Sequence, residues 1–398
     1  MPESQDVLTR LLGEEPTATE DLGGSARSRV LRVTLADGST VVAKQFTGDD
    51  AATSFLRETV GLRHLPRTPT MLASDPETHL VLMSDVGQAP TLADHLLGED
   101  GDAAWAAAIA WAGALGDVAG RSVDDLAAVR TELSGVQVYD PTPALRDGVA
   151  RLAELAGVDP ERAADDLDTM EALLETEGAE VAWPTDTCPD NALATGSGWV
   201  FLDLEGTDVS HAALVAAYPA LPFATCWCAF DPPEGLTEQM LSAFTLALSG
   251  HAPHITDRDE WRGDVDVASA IWIVATTSWL LPRALEGDGP IGPDGVPSPT
   301  RRQLLRSRWS WLAMRLTVTT PVLAELGAAA VAWADREWGE SAASVGPYPA
   351  FAEPPSDDED PDSDDAEELS SGTLSEVSAA AGDGETTGSE RPASERED

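Results

Sequence analysis

Between residues 184 and 206 the chain gathers side chains suited to one kind of chemistry. The run Pro184-Thr185-Asp186-Thr187-Cys188-Pro189-Asp190-Asn191 sets an Asp five residues before an Asn, and Val200-Phe201-Leu202-Asp203-Leu204-Glu205-Gly206 brings a second Asp twelve residues later. A carboxylate such as Asp186 can orient a hydroxyl and accept its proton. An amide oxygen and a further carboxylate, Asn191 and Asp203, are the hard donors that Mg²⁺ prefers. The only lysine of the chain, Lys44, lies in the strand-like run Thr40-Val-Val-Ala-Lys-Gln-Phe46. Each residue also has a plainer reading. Asp and Asn favour turns whatever the function, and a strand lysine or a helix Glu such as Glu58 can be a solvated surface group. Glu205 reads as a supporting residue and Asp190 as local turn chemistry.

These groups can meet only if the elements carrying them are placed for it. Arg29-Val-Leu-Arg-Val-Thr-Leu35 alternates apolar and polar, turns at Asp37-Gly38 and returns as Thr40 to Phe46, which predicts a hairpin. Ala51 to Leu65 carries Phe55, Leu56, Val60, Leu62 and Leu65 at roughly helical spacing and stops before Pro66. A strand over Leu80 to Met83 follows, then the polar connection Ser84-Asp85-Val86-Gly87. From Ala103 onward the composition is helical, apart from β-like pieces at Glu180 to Trp183 and Trp199 to Leu204, and no internal repeat is visible. The expected architecture is α+β and two-lobed, with a small β-rich lobe over 1–86 and a larger, mostly helical lobe over 87–352.

In their order along the chain these motifs resemble the aminoglycoside phosphotransferase and choline kinase group of small-molecule kinases. The resemblance covers about residues 20 to 210 and implies a protein kinase-like fold. It makes Asp186 the catalytic Asp of a His-Gly-Asp-x4-Asn signature and gives Asn191 and Asp203 the metal. Val42-Ala-Lys44 is similar to the strand lysine that meets the α and β phosphates, and Phe55-Leu-Arg-Glu58-Thr to the helix whose Glu holds it. Leu80 to Gly87 stands where adenine sits, with Met83 and Ser84 at its edge, and the amides of Gly24, Ser25 and Ala26 could cover phosphate. The sequence departs from the pattern at Pro184-Thr185, where the family has His and Gly, and in the adjacent glycines of Leu22-Gly-Gly-Ser-Ala-Arg-Ser28. The expected activity is transfer of the γ-phosphate of ATP, with Mg²⁺, to a hydroxyl of a small molecule that is aminoglycoside-, sugar- or amino-alcohol-like. The alternative is a catalytically weakened, kinase-like module that binds nucleotide or a partner. No His-Arg-Asp, Asp-Phe-Gly or Ala-Pro-Glu run points to a protein kinase.

Composition narrows the classes further. A net charge of −46 on 398 residues, with 23 Arg and a single Lys among 24 basic residues, disfavours nucleic acid and anionic membranes as partners. Three cysteines make no disulfide framework, and the start lacks a signal-like run, so a reducing cytoplasmic setting is expected. Val267 to Pro282, the most apolar stretch, reads as a buried helix too short to span a bilayer. Cys188, Cys226 and Cys228 could converge near His211 on a zinc-like site, or be small buried hydrophobes. The tryptophans of the second half read chiefly as core. Glu286 to Pro299 is a Gly- and Pro-rich loop, and residues 353–398, with 17 Asp/Glu against 2 Arg, read as a disordered acidic tail.

Overall fold

The computed structural model describes residues 2–25, 27–136 and 140–352, with the side chains of residues 2–5 and 25 excepted. The acidic tail predicted over 353–398 lies outside the described residues, as does Ala26.

Helix α1 (Pro2–Leu12) precedes the strands β1 (Ala18–Ser25), β2 (Ser28–Thr34) and β3 (Thr40–Phe46). Helix α2 (Ala51–His64) follows, then β4 (Met71–Asp75) and β5 (Leu80–Ser84). The five strands form one antiparallel sheet in the order β1-β2-β3-β5-β4. Strand alternation assigns the two faces of β3. Val41 and Ala43 pack with Leu8 of α1, Val33 and Leu82 on one side. Phe46 packs with Phe55 and Leu62 of α2 on the other, and Val42 joins it. Lys44 lies between Val42 and Phe46 on that second face, opposite Val30 of β2 and Val81 of β5 in register. Helix α2 stops because Leu65, before Pro66, turns to extended backbone at ψ 132°.

Beyond the hinge the chain runs through α3 (Leu92–Leu96), α4 (Gly101–Ser122), α5 (Leu126–Glu132), α6 (Thr142–Ala156) and α7 (Ala164–Glu175). Four short strands interrupt the helices: β6 (Glu180–Trp183), β7 (Ala192–Thr195), β8 (Gly198–Phe201) and β9 (Asp208–His211). Strand β6 pairs with β9, and β7 with β8, both antiparallel. Then come α8 (Ala212–Ala220), α9 (Leu236–Ser249), α10 (Pro253–Thr256), α11 (Trp261–Glu286), α12 (Arg301–Arg315) and α13 (Pro321–Glu337). A small antiparallel sheet with two helices followed by a larger helical part is the two-lobed α+β arrangement expected.

Several boundaries differ from those expected, for physical reasons. The piece predicted over Trp199 to Leu204 ends as a strand at Phe201, because Asp203 adopts a left-handed φ of +55° that no strand accommodates. The run Leu22 to Ser28, read as a phosphate-covering segment or a turn before a strand, holds the end of β1 and the turn into β2, with Gly24 at φ +140° and a Cβ there only 2.3 Å from the Ser28 carbonyl oxygen. The apolar stretch at Val267 to Pro282 belongs to a 26-residue helix, α11, long enough to cross a membrane, and Gly101–Gly135 also has the length and composition. Both are core helices in this fold. The apolar window of α11 is 72% buried, and Trp111, Leu115 and Val118 of α4 are fully buried. Trp111, Trp183 and Trp309 are core residues, and Trp309 stacks on Trp338.

His211 closes β9 and caps α8: its Nδ1 accepts the Ala213 amide hydrogen at 3.1 Å, so the neutral ring carries its proton on Nε2, which is buried without a partner. Burial, then nearby Arg258, lowers the imidazole to about 4, with Glu180 opposing. The unfolded chain therefore binds the extra proton between about pH 6.5 and pH 4, and stability falls as the pH drops through that window. The expected cost of full acidification is roughly 3 kcal/mol from this residue. His211→Asn, which keeps a capping oxygen, should flatten that part of a urea-unfolding pH series; an unchanged slope would refute the assignment.

Candidate active site

The site is built where the β3 face, α2 and the β7–β8 hairpin meet. Lys44 is 6% and Glu58 1% exposed, and Lys44 Nζ donates to Glu58 Oε2 at 2.9 Å and to Asp203 Oδ1 at 2.6 Å. Burial would lower the Lys44 ammonium, but Glu58 and then Asp203 hold it above its ordinary value, so it stays charged. For Glu58, burial pushes the carboxyl up and Lys44 pulls it back. Helix α2 is anchored for this task. Arg57, beside Glu58, donates from Nη1 to the Thr207 carbonyl oxygen at 2.7 Å and to Asp208 Oδ2 at 2.9 Å.

These groups border a cavity of about 430 Å³ between the sheet and the β7–β8 hairpin. Val30 and Val42 line it from the sheet, Leu193 and Leu202 from the hairpin, and Met83, Ser84 and Asp85 from the hinge. Apolar side chains above and below with polar groups at one edge are the usual lining of a site for a flat, largely apolar ring. Lys44, Asn191 and Asp203 line the same cavity, as does Gly24. Ser25 is paired with Ser28 through its backbone. The Ser84 amide donates to the Thr70 carbonyl oxygen at 2.8 Å and its hydroxyl accepts the Thr70 amide hydrogen at 2.9 Å, so both are engaged within the sheet. At the hinge, Asp85 Oδ2 lies 2.7 Å from Arg32 Nε. Although burial works against it, Arg32 and the Gly87 amide keep that carboxyl below its ordinary value.

Asp186 and Asn191 come from one loop. The Asn191 Nδ2 donates to the Asp186 carbonyl oxygen at 3.4 Å, and the Leu202 amide to the Asn191 carbonyl oxygen at 2.8 Å. With its nitrogen engaged, the Asn191 side chain has its oxygen left to offer. Asp203 is 37% exposed at the side chain and so reachable from solvent. Asp186 is an exposed residue, yet desolvation by the protein around it and then the Asp203 charge raise its carboxyl above its ordinary value.

Sequence reasoning missed the residues that lock this loop. Thr185 takes a left-handed φ of +64°, and its Oγ1 donates to the Gly206 carbonyl oxygen at 2.9 Å, tying the Asp186 loop to the turn after Asp203. Thr185 and Asp203 are both strained, and strained non-glycine backbone collects at functional sites. Position 206 must be glycine, because a Cβ there falls 2.1 Å from Thr185 Oγ1 and 3.0 Å from the Pro184 carbonyl oxygen. Gly206→Ala should cost roughly 1–3 kcal/mol in urea unfolding, and Thr185→Ala in the same chain should restore part of it. Strict additivity of the two would show that they do not touch. A second missed contact joins Arg27, in the β1–β2 turn, to Glu205 at 3.0 Å. The convergence of three thiols on His211 is not found. Among the described residues the group of metal-ligating atoms is Cys188, Asp190 and Cys226, while His211 serves as the helix cap.

No family model matches the chain, and no curated protein matches it. Solved structures similar to it include macrolide 2'-phosphotransferase MphH from Brachybacterium faecium, with 19% identity over 71% of this chain and 96% of that one at a TM-score of 0.42. A choline/ethanolamine kinase family protein from Mesorhizobium loti has 17% identity over 83% and 99% at 0.47. The streptomycin–ATP–APH(2")-IIa ternary complex has 11% identity over 70% and 90% at 0.43.

Proposed function

We propose that the chain is an ATP- and Mg²⁺-dependent phosphotransferase acting on a hydroxyl of a small molecule. The observation that carries this reading is the buried Lys44 ammonium held between Glu58 and Asp203 at the wall of a cavity that Asn191 also lines. The donor set suits Mg²⁺: one carboxylate and one amide oxygen, hard and partly exposed, with room left for water and phosphate oxygens. When bound, the ion neutralises charge on the transferred phosphate.

The remaining work belongs to the protein's own groups. Val30 and Val42 with Leu193 and Leu202 exclude water around the base. Lys44, fixed by Glu58 and thus by α2, holds a positive charge at the wall of the cavity where phosphate oxygens would lie. Asp186 accepts a hydrogen bond from the acceptor hydroxyl, orients its oxygen for in-line attack and takes its proton as the bond forms. Burial and then the Asp203 charge raise the Asp186 carboxyl above its ordinary value, which makes it the stronger base. The hydrogen bond from Thr185 to Gly206 supplies the loop support for which the resemblance would require a histidine. Free Cys188, Cys226 and Cys228 are in keeping with a reducing compartment, and the cytoplasm is the location proposed.

A thermal-shift titration with ATP, GTP and Mg²⁺ tests the reading. Ligand at about 100 times its dissociation constant adds about 2.7 kcal/mol of stability. Metal-dependent stabilisation by a nucleotide is expected, followed by ATP consumption when hydroxylated acceptors are screened. Absence of any shift would remove the nucleotide site, and a shift without turnover on any acceptor would leave a binding module.

A further inference from the structure

One cluster of chemically competent side chains takes no part in the phosphoryl transfer. The ligating atoms of Cys188, Asp190 and Cys226 all lie within 4.8 Å of one another. Two come from the loop that carries Asp186, and the third from the turn that follows α8, 35 residues beyond the end of that loop. Two sulfurs and one carboxylate oxygen suit a borderline-soft divalent cation, and a tetrahedral zinc ion at about 2.3 Å from sulfur and 2.0 Å from oxygen needs its donors about 3.5–3.8 Å apart. Closing the present triangle onto an ion therefore takes movements of about 1 Å or less.

The groups around the cluster are arranged as the outer partners of such a site usually are. The Cys228 amide lies 3.4 Å from Cys226 Sγ and donates to it, an interaction that strengthens when the sulfur is a thiolate. Trp227 Nε1 donates to Asp190 Oδ2 at 3.1 Å, which orients the carboxylate and leaves its other oxygen as a ligand. The Cys226 turn is itself rigid. Buried Arg308 donates from Nη2 to the carbonyl oxygens of Pro222 and Phe223, at 2.7 and 3.0 Å, and the Cys226 amide donates to the Phe223 carbonyl oxygen at 3.0 Å. The neighbouring Cys226 thiol and then burial push the Cys188 thiol well above its ordinary value.

We propose that Cys188, Asp190 and Cys226 bind one thiophilic divalent cation of the Zn²⁺ type, with water in the fourth position, and so clamp the Asp186 loop to the Cys226 turn. Binding forms two metal–sulfur bonds and one metal–oxygen bond and releases two protons from the two thiols to the solvent. It is independent of nucleotide and of phosphotransfer, so the two readings stand or fall separately.

The test uses the full chain, free of any histidine tag, reduced, stripped with chelator and kept in excess Mg²⁺ to saturate the acidic surface. Three thiols should titrate in denaturant before metal is added. Added Zn²⁺ should be retained at one per chain after gel filtration and should protect two thiols in the native protein. Co²⁺ should give the intense thiolate-to-metal absorption of a sulfur-ligated ion. Cys188→Ser and Asp190→Asn should each weaken Zn²⁺ binding at least tenfold, whereas Cys228→Ala should bind as the parent does. Substoichiometric retention, Co²⁺ binding without the sulfur absorption, binding unchanged in Cys188→Ser, or a single titratable thiol at the outset, which would place a Cys188–Cys226 disulfide there, each overturns the proposal.

Discussion

Asp186→Ala should lower turnover by 10²- to 10⁴-fold while changing nucleotide-dependent stabilisation by less than a factor of two in affinity. The expectation follows from where the side chain sits. Asp186 is exposed, and the cavity proposed for nucleotide is lined by Lys44, Asn191 and Asp203 instead. Truncation strands no buried partner, since the carboxylate accepts a long hydrogen bond from the Cys188 amide, at 3.4 Å to Oδ1. What disappears is the group proposed to orient and deprotonate the acceptor. The pH profile adds a second arm. Burial and Asp203 raise the Asp186 carboxyl, and the ionised form is the working one, so kcat/KM should fall on acidification through a midpoint above the ordinary carboxylate range. Parent-like turnover in Asp186→Ala would sink the assignment, and an acid limb at the ordinary carboxylate value would separate Asp186 from the titration.

Lys44→Met should carry the largest thermodynamic effect. Removing one partner of a buried ion pair leaves an uncompensated charge and costs about 3–5 kcal/mol, here at Glu58, which is 1% exposed. The same substitution takes away the ammonium proposed to meet phosphate, so nucleotide stabilisation should vanish as well. The two effects separate in Lys44→Met/Glu58→Leu. A matched apolar pair in place of a buried ion pair is often neutral or stabilising. Urea unfolding should therefore return close to the parent value while nucleotide binding stays absent. If the double substitution restored nucleotide stabilisation, Lys44 would have no role at the phosphates; if Lys44→Met unfolded like the parent, the pair would not be buried in solution.

The parts of this fold legible in the sequence are those where local pattern and tertiary role agree. Strands β3 and β5 bury alternate or continuous apolar residues, β2 alternates in sequence and buries Val33, and α2 carries Phe55 and Leu62 at helical spacing. Strand β1 is hidden because Ala18-Thr-Glu-Asp-Leu-Gly-Gly-Ser25 is an exposed, polar edge held by its pairing with β2. Strand β9 is a strand only because β6 lies beside it. The same division runs through the site. Lys44, Glu58, Asp186, Asn191 and Asp203 carry their chemistry in their residue types and order. Thr185 and Gly206 act through a hydrogen bond across 21 residues that requires a left-handed φ, and neither the bond nor the angle is written in composition. The thiol cluster shows the reverse failure: the cysteines are visible in the sequence, but their third companion is Asp190, whose type suggests a turn, and not His211.

Lys44 bridges two bodies of the fold at once, since Glu58 belongs to the helix under the sheet and Asp203 to the hairpin across the cavity. The carboxylate assigned to an incoming cation is therefore already neutralised by a tethered one. On the proposed reading, loading the cleft would be an exchange of counter-ions: the ammonium would turn from Asp203 to phosphate oxygens as a metal ion took up the carboxylate, so charge would enter in matched pairs and neither half of the ligand would be favoured alone. Free nucleotide and free Mg²⁺ should each compete poorly with this internal pairing, and their affinities should be strongly interdependent by simple mass balance of charge.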